Sequence, residues 1–152
     1  MIALLIIHGL VAFALLGAIT HQLIVVWVPA RQAAGHFVGR LRTVAGTSYV
    51  NAIAVLFLVQ MVLGGIIYTN YRIGARISLE QARVYFPVGL FELKEHFVSI
   101  GLAVLPAYWY FWRRPLADEH AWTRAMLTTL LAFIVWWSFL VGHILNNLRG
   151  IG

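Results

Sequence analysis

Four long apolar stretches alternate along the chain with short segments in which charged residues, glycine and asparagine collect. The stretches cover roughly residues 2–28, 46–69, 88–112 and 122–146. Each exceeds the length of about 18 apolar residues that a membrane-spanning helix needs. The pattern predicts an all-α, polytopic membrane protein: a four-transmembrane-helix bundle of up-down-up-down topology, forming one domain over residues 1–152. No linker, low-complexity tract or internal repeat divides it. The first stretch has no basic segment before it, and its apolar run exceeds the ~7–15 residues of a signal-peptide core. It is therefore expected to stay as a span.

The segment NYRIGARISLEQARVYFPVG, residues 70–89, is the one sizeable non-membrane segment expected. Ser78 followed by Gln81 fits a capping box, predicting a short interfacial helix over about 79–86 that ends near Pro87. Trp27, Tyr68, Tyr71, Tyr108, Trp109, Tyr110, Trp112 and Trp122 fall near segment ends, as interfacial aromatic belts do.

Composition supports the membrane assignment. Only 11% of residues are charged, against roughly a quarter in soluble domains. The chain has no cysteine, which removes disulfides and thiolate metal sites from consideration. Its formal charge of +6 comes from arginines at the ends of apolar runs, so it reads as topology signal and headgroup contact, with no nucleic-acid face. Arg31, Arg40, Arg42, Arg113, Arg114 and Arg124 lie on one side; Arg72, Arg76, Arg83, Lys94 and Arg149 lie on the other. That excess predicts an integral protein of a bacterial inner membrane with both termini on the outer, periplasmic side.

The alternating topology converts sequence position into depth. His8, His96 and His143 come from three different helices, yet each lies on the order of 5–12 Å below the outer surface at ~1.5 Å per residue. Ionisable groups inside membrane helices are costly and usually point toward partners or a cavity. The same layer holds Glu92 and Ser99 on the stripe of His96, Glu95 beside it, Asn146 and Asn147 after His143, and Gly64–Gly65 with Gln60 one turn deeper. His36 and His120 fall on the opposite side. His21 is thirteen residues after His8, a rotation of ~220°, so the two do not share a face.

Three chemistries are compatible with that layer. The first is a b-type haem held by two of His8, His96 and His143, with His8 and His96 the favoured pair. Gly64 and Gly65 would leave room for the ring, Glu92, Glu95 or Asn147 would orient the imidazoles, and Arg72, Arg149, Lys94 or Tyr68 would meet the propionates. The expected activity is then single-electron transfer between a quinone or other membrane partner and an outer-face redox partner protein, as an oxidoreductase or its cytochrome b subunit. The second is a non-haem Zn, Fe, Mn or Cu ion on His8, His96, His143, Glu92 and Glu95. The third has no cofactor and makes the chain an accessory subunit of an oligomer or larger membrane complex. Topology and histidine depth are similar to those of small four-helix membrane cytochromes b. Nucleophile-elbow, Walker and H-E-x-x-H motifs do not occur.

Overall fold

The computed structural model describes residues 2–28, 44–113 and 118–148. Four long helices account for most of them: α1 (Ile2–Trp27), α2 (Val50–Asn70), α4 (Tyr85–Arg113) and α5 (Ala121–Leu148), with a short α3 (Arg76–Gln81) before α4. No strand occurs among the described residues. The ends match the apolar stretches within a few residues, because uninterrupted runs of Leu, Ile, Val and Ala leave a backbone that can satisfy itself only as a helix.

Three stretches are long and apolar enough to cross a membrane: Ile2–Trp27, Gly46–Gln81 and Ala121–Asn147. The α4 helix is long enough, at 29 residues, but falls short in apolar character. Glu92, Lys94 and Glu95 sit in its first half, and Tyr, Trp and Arg113 fill its last turns. Of the four expected spans, three are thus strongly apolar helices and the fourth is a long helix of more polar composition.

The loop between α2 and α4 also differs from expectation. The chain does not break after α2; it continues through a π-helical segment, Tyr71–Ala75, directly into α3. The Ser78 hydroxyl donates back to the Gly74 carbonyl at 3.2 Å, so it is a mid-helix residue and no capping box forms. The short helix runs from Arg76 to Gln81 in place of 79–86. It closes where Val84 N–H bonds the Leu79 carbonyl and Arg83 N–H the Glu80 carbonyl, with Arg83 in the left-handed region at φ 58°. That is the six-to-one and five-to-two pairing of a Schellman ending. Pro87 lies in the first turn of α4, where a missing N–H costs nothing.

The helices pack antiparallel, with α5 seated between α1 and α4 and with α1 also against α2. The core lies mainly toward the end where α1 finishes, around Leu16, Ile19, Ile53, Leu105, Tyr108 and Leu131. At Gly101 a Cβ atom would lie 2.6 Å from the Phe57 ring, so the absence of a side chain sets the approach of α4 to α2. Close backbone approach over small residues is how helices associate where water cannot drive them together. Tyr108 and Trp112, expected in a belt, are buried and belong to this core.

Candidate functional site

Helix direction divides the molecule into a half around Gln22 and a half around His8. In the Gln22 half, buried polar groups find one another. The Gln22 amide donates to the Gly46 carbonyl at 3.0 Å and accepts from the Tyr108 hydroxyl at 2.5 Å. Trp112 Nε1 donates to Thr128 Oγ1 at 3.0 Å. Trp27 Nε1 donates to Thr129 Oγ1 at 2.7 Å, and Trp27 meets Trp122 edge-on. His21 is buried with its ring 4.7 Å from that of Tyr49. His120 sits on Phe111 and Glu119, and His36 lies outside the described residues.

The His8 half is built differently. There, α1, α2, α4 and α5 surround a cavity of about 330 Å³. From Phe57 on α2 to Tyr71 at the start of the π segment it extends over fifteen residues, roughly 20 Å along the helix. Its polar lining comprises His8, Gln60, Lys94, Glu95, Ser138 and His143, with Asn146 beside them. Tyr68, Tyr71 and Phe91 stack at the end away from Phe57, with ring centroids 4.1 Å apart for Tyr71 and Phe91 and 5.6 Å apart for Tyr68 and Phe91. Gly9, Gly64 and Gly142 contribute wall without side chain. A Cβ at Gly64 would come 3.5 Å from His8 Cε1, whereas at Gly9 or Gly142 it would meet nothing within 4 Å.

His8 is held by one contact: its Nε2 lies 3.0 Å from Gln60 Nε2. His8 Nδ1, Gln60 Oε1 and Ser138 Oγ are buried atoms with no hydrogen-bond partner among the described residues. Such atoms cost on the order of 1–3 kcal/mol each when left unpaired. The oxygen and nitrogen of a glutamine amide interchange readily. With Oε1 turned to the ring, Gln60 accepts the Nε2 proton and leaves the Nδ1 lone pair free. With the nitrogen turned to the ring, Nδ1 carries the proton. Either way one imidazole nitrogen is fixed by Gln60 and the other is uncommitted.

The remaining predicted residues separate into two groups. His143 and Glu95 line the cavity with His8, and Gly64 forms its wall. His143 Nε2 is 3.2 Å from Asn147 Nδ2. Glu95 is paired with Lys94 at 3.1 Å, and Lys94 lies 4.4 Å over the Phe91 ring. By contrast, His96, Glu92 and Gly65 do not line it. The His96 ring is exposed and its Nδ1 donates to the Glu92 carbonyl one turn back, at 2.8 Å. The Glu92 carboxylate meets Arg76 at 3.1 Å. Arg72 is exposed on the π segment, and Arg149 lies outside the described residues. Of the three histidines, His8 and the exposed His143 line the cavity, and His96 does not. Among the described residues no group of three or more His, Asp or Glu side chains is placed to hold a metal ion, so the five-residue metal set does not assemble.

Ser138, Tyr71 and Phe139 line the cavity without having been signalled by spacing. Ser138, five residues before His143, lies about 140° round the same helix, so a helical wheel does not group the two. Comparison with protein-family models, with curated proteins and with solved structures finds no match.

Proposed function

We propose that the chain is a membrane electron-transfer protein that holds a b-type haem in the His8–His143 cavity. It is read as a four-span bundle of the bacterial inner membrane with both termini periplasmic. The observation that carries the reading is a tall cavity lined by His8, whose Nδ1 has no hydrogen-bond partner, and by His143 from an antiparallel helix. The residues present fit the group. Gln60 fixes the second nitrogen of His8, as partners of ligating histidines do. Gly9, Gly64 and Gly142 leave room for a flat ring, and the Lys94 ammonium is placed to meet a carboxylate. When bound, haem supplies a reversible one-electron iron couple whose potential follows axial ligation, burial and nearby charge. The chain's own work is to hold the ring, exclude water with Phe57, Phe91 and Phe139, and set that charge through Lys94 and Glu95. Electrons would pass to a quinone in the bilayer or to a protein docked at the His8 end.

His8 and His143 would then hold the haem in place of His8 and His96. A non-haem metal ion on the same cavity would have to complete its coordination with water or substrate. The test is the reduced-minus-oxidised spectrum of the purified protein with pyridine extraction. Sharp α and β bands are expected, lost in His8→Ala and His143→Ala and kept in His96→Ala. A colourless preparation, or full haem content in His8→Ala, sinks the proposal and favours a cofactor-free accessory subunit.

A further inference from the structure

Four seams between neighbouring helices enclose the cavity, and three of them are joined in its own half of the bundle. His8 on Gln60 joins α1 to α2. The Tyr71–Phe91 stack and the Arg76–Glu92 ion pair join the end of α2 and the segment after it to α4. Phe97 against Trp137 joins α4 to α5. The seam between α1 and α5 changes along its length. Its inner part is closed by two indole–hydroxyl bonds, Trp27 to Thr129 at 2.7 Å and Trp136 to Thr20 at 3.0 Å.

Helical register shows what happens further out. On α1, Gly9, Leu16, Thr20 and Trp27 lie within about 40° of one another at 3.6 residues per turn. On α5, Thr129, Trp136 and His143 form a stripe of about the same width. The two stripes face each other, and their inner members are bonded or, for Leu16, buried. Their outer members are Gly9 and His143. Both line the cavity and both are exposed, and a Cβ built on Gly9 would meet nothing within 4 Å. The seam that is zipped at Thr20 thus parts at Gly9. Beside the gap stand Ile6, Phe13, Leu140 and Ile144, all large, apolar and exposed. A gap with that rim opens onto hydrocarbon, where apolar surface is stable, and not onto water.

We propose that this gap is where a quinone dissolved in the bilayer reaches the cavity. The role given to the quinone rests on the electron-transfer reading above, and the gap itself does not. It makes the lipid, in place of a docked protein, the side from which the redox partner comes. Three features match a quinone ring. Gly9 leaves the α1 side of the gap without a side chain, so a flat ring can enter. Phe139 lines the cavity about 40° round α5 from His143 and offers an aromatic face for stacking. Asn146, one turn beyond His143, lines the cavity and is exposed, and its amide N–H can donate to a quinone carbonyl oxygen. Apolar walls with a few placed polar groups are the usual form of such a site. The quinone's apolar tail stays in lipid, among Ile6, Phe13 and Leu140.

An azido-benzoquinone with a short alkyl tail, photolysed with the protein in phosphatidylcholine vesicles, provides the test. Labelling should saturate, be competed by the unlabelled benzoquinone, and fall on α1 or α5 around Gly9 and His143. Gly9→Leu fills the gap and should cut the saturable labelling about tenfold or more. Gly17→Leu is the matched control: it lies on the same helix, is exposed, has nothing within 4 Å of a Cβ and does not line the cavity. It should label like the unmodified protein. Size exclusion checks that each variant is folded. Gly9→Ala adds a single methyl and should lose about twofold, and it decides the matter if Gly9→Leu does not fold. Labelling that fails to saturate, that is unchanged in the Gly9 variants, or that falls equally in Gly17→Leu overturns the proposal. Pyridine extraction of the same samples reports haem separately. Haem without saturable labelling removes the quinone site alone, whereas the expected labelling without haem upholds the site and removes the haem.

Discussion

The two halves of the bundle handle buried polarity in opposite ways. Around Gln22, amide, phenol, indole and hydroxyl groups close on one another, and Tyr108, Gln22 and Thr128 have no accessible surface. Around His8, atoms of comparable polarity are left uncommitted and surround open volume. The residue types overlap, since both halves use Gln, Tyr and a hydroxyl. The difference lies in whether each donor has an acceptor within reach. Satisfied polar networks specify one packing and rigidify it, whereas partly satisfied ones are unfavourable unless something else completes them. One half holds the fold together and the other leaves open volume beside unpaired polar atoms.

Substitutions can break or sharpen that contrast. The largest expected effect is at the join between α2 and α4. Gly101→Leu places side-chain atoms where the Phe57 ring already lies 2.6 Å from the first carbon. It should cost about 3 kcal/mol or more, seen as loss of the folded species on size exclusion. Gln22→Leu comes next: it strands the Tyr108 hydroxyl and the Gly46 carbonyl and should cost about 2 kcal/mol, read as a lowered Tm in detergent. In the other half, Gln60→Leu removes the one contact of His8 but also an unpaired carbonyl oxygen, so it should cost cofactor-free protein less than Gln22→Leu, about 1 kcal/mol. On the proposed haem reading, the same substitution should also alter the midpoint potential of the bound haem, because the fixed nitrogen of His8 loses its partner. If Gln60→Leu destabilises the cofactor-free protein as much as Gln22→Leu does, the two halves are not different in kind.

The long apolar helices were legible because length and hydropathy alone decide them in a membrane. The shared depth of His8 and His143 was legible too, since it follows from alternating direction and a fixed rise per residue. The rotation of α4 was not. Two faces of that helix compete: one carries Glu92, His96 and Ser99, the other Lys94, Gly101, Leu105 and Tyr108. Reading polarity as the inward signal selects the first. Packing selects the second, because Gly101 admits Phe57 and the Tyr108 hydroxyl reaches Gln22 across the core. Those contacts are made with residues forty or more positions away in sequence, so a single helix viewed alone carries no sign of them. The fusion of α2 with α3 was hidden for a related reason. Gly74 and the charges around it resemble a loop, yet a π segment carries the chain through.

That fusion produces a rod of 36 residues from Gly46 to Gln81, roughly 54 Å at 1.5 Å per residue. A hydrocarbon layer is about 30 Å thick, and even a tilt of about 40° leaves roughly 41 Å along the membrane normal. The excess must stand among headgroups or in water, and the end bearing Arg76 and Glu80 is the one suited to do so. The rod then works as a depth gauge for the whole bundle. Gln60 sits ten residues below Asn70, about 15 Å down the shaft, and His8 is tethered to it. A change in bilayer thickness alters how much of the rod stands clear of the lipid, while the cavity keeps its place on the scale.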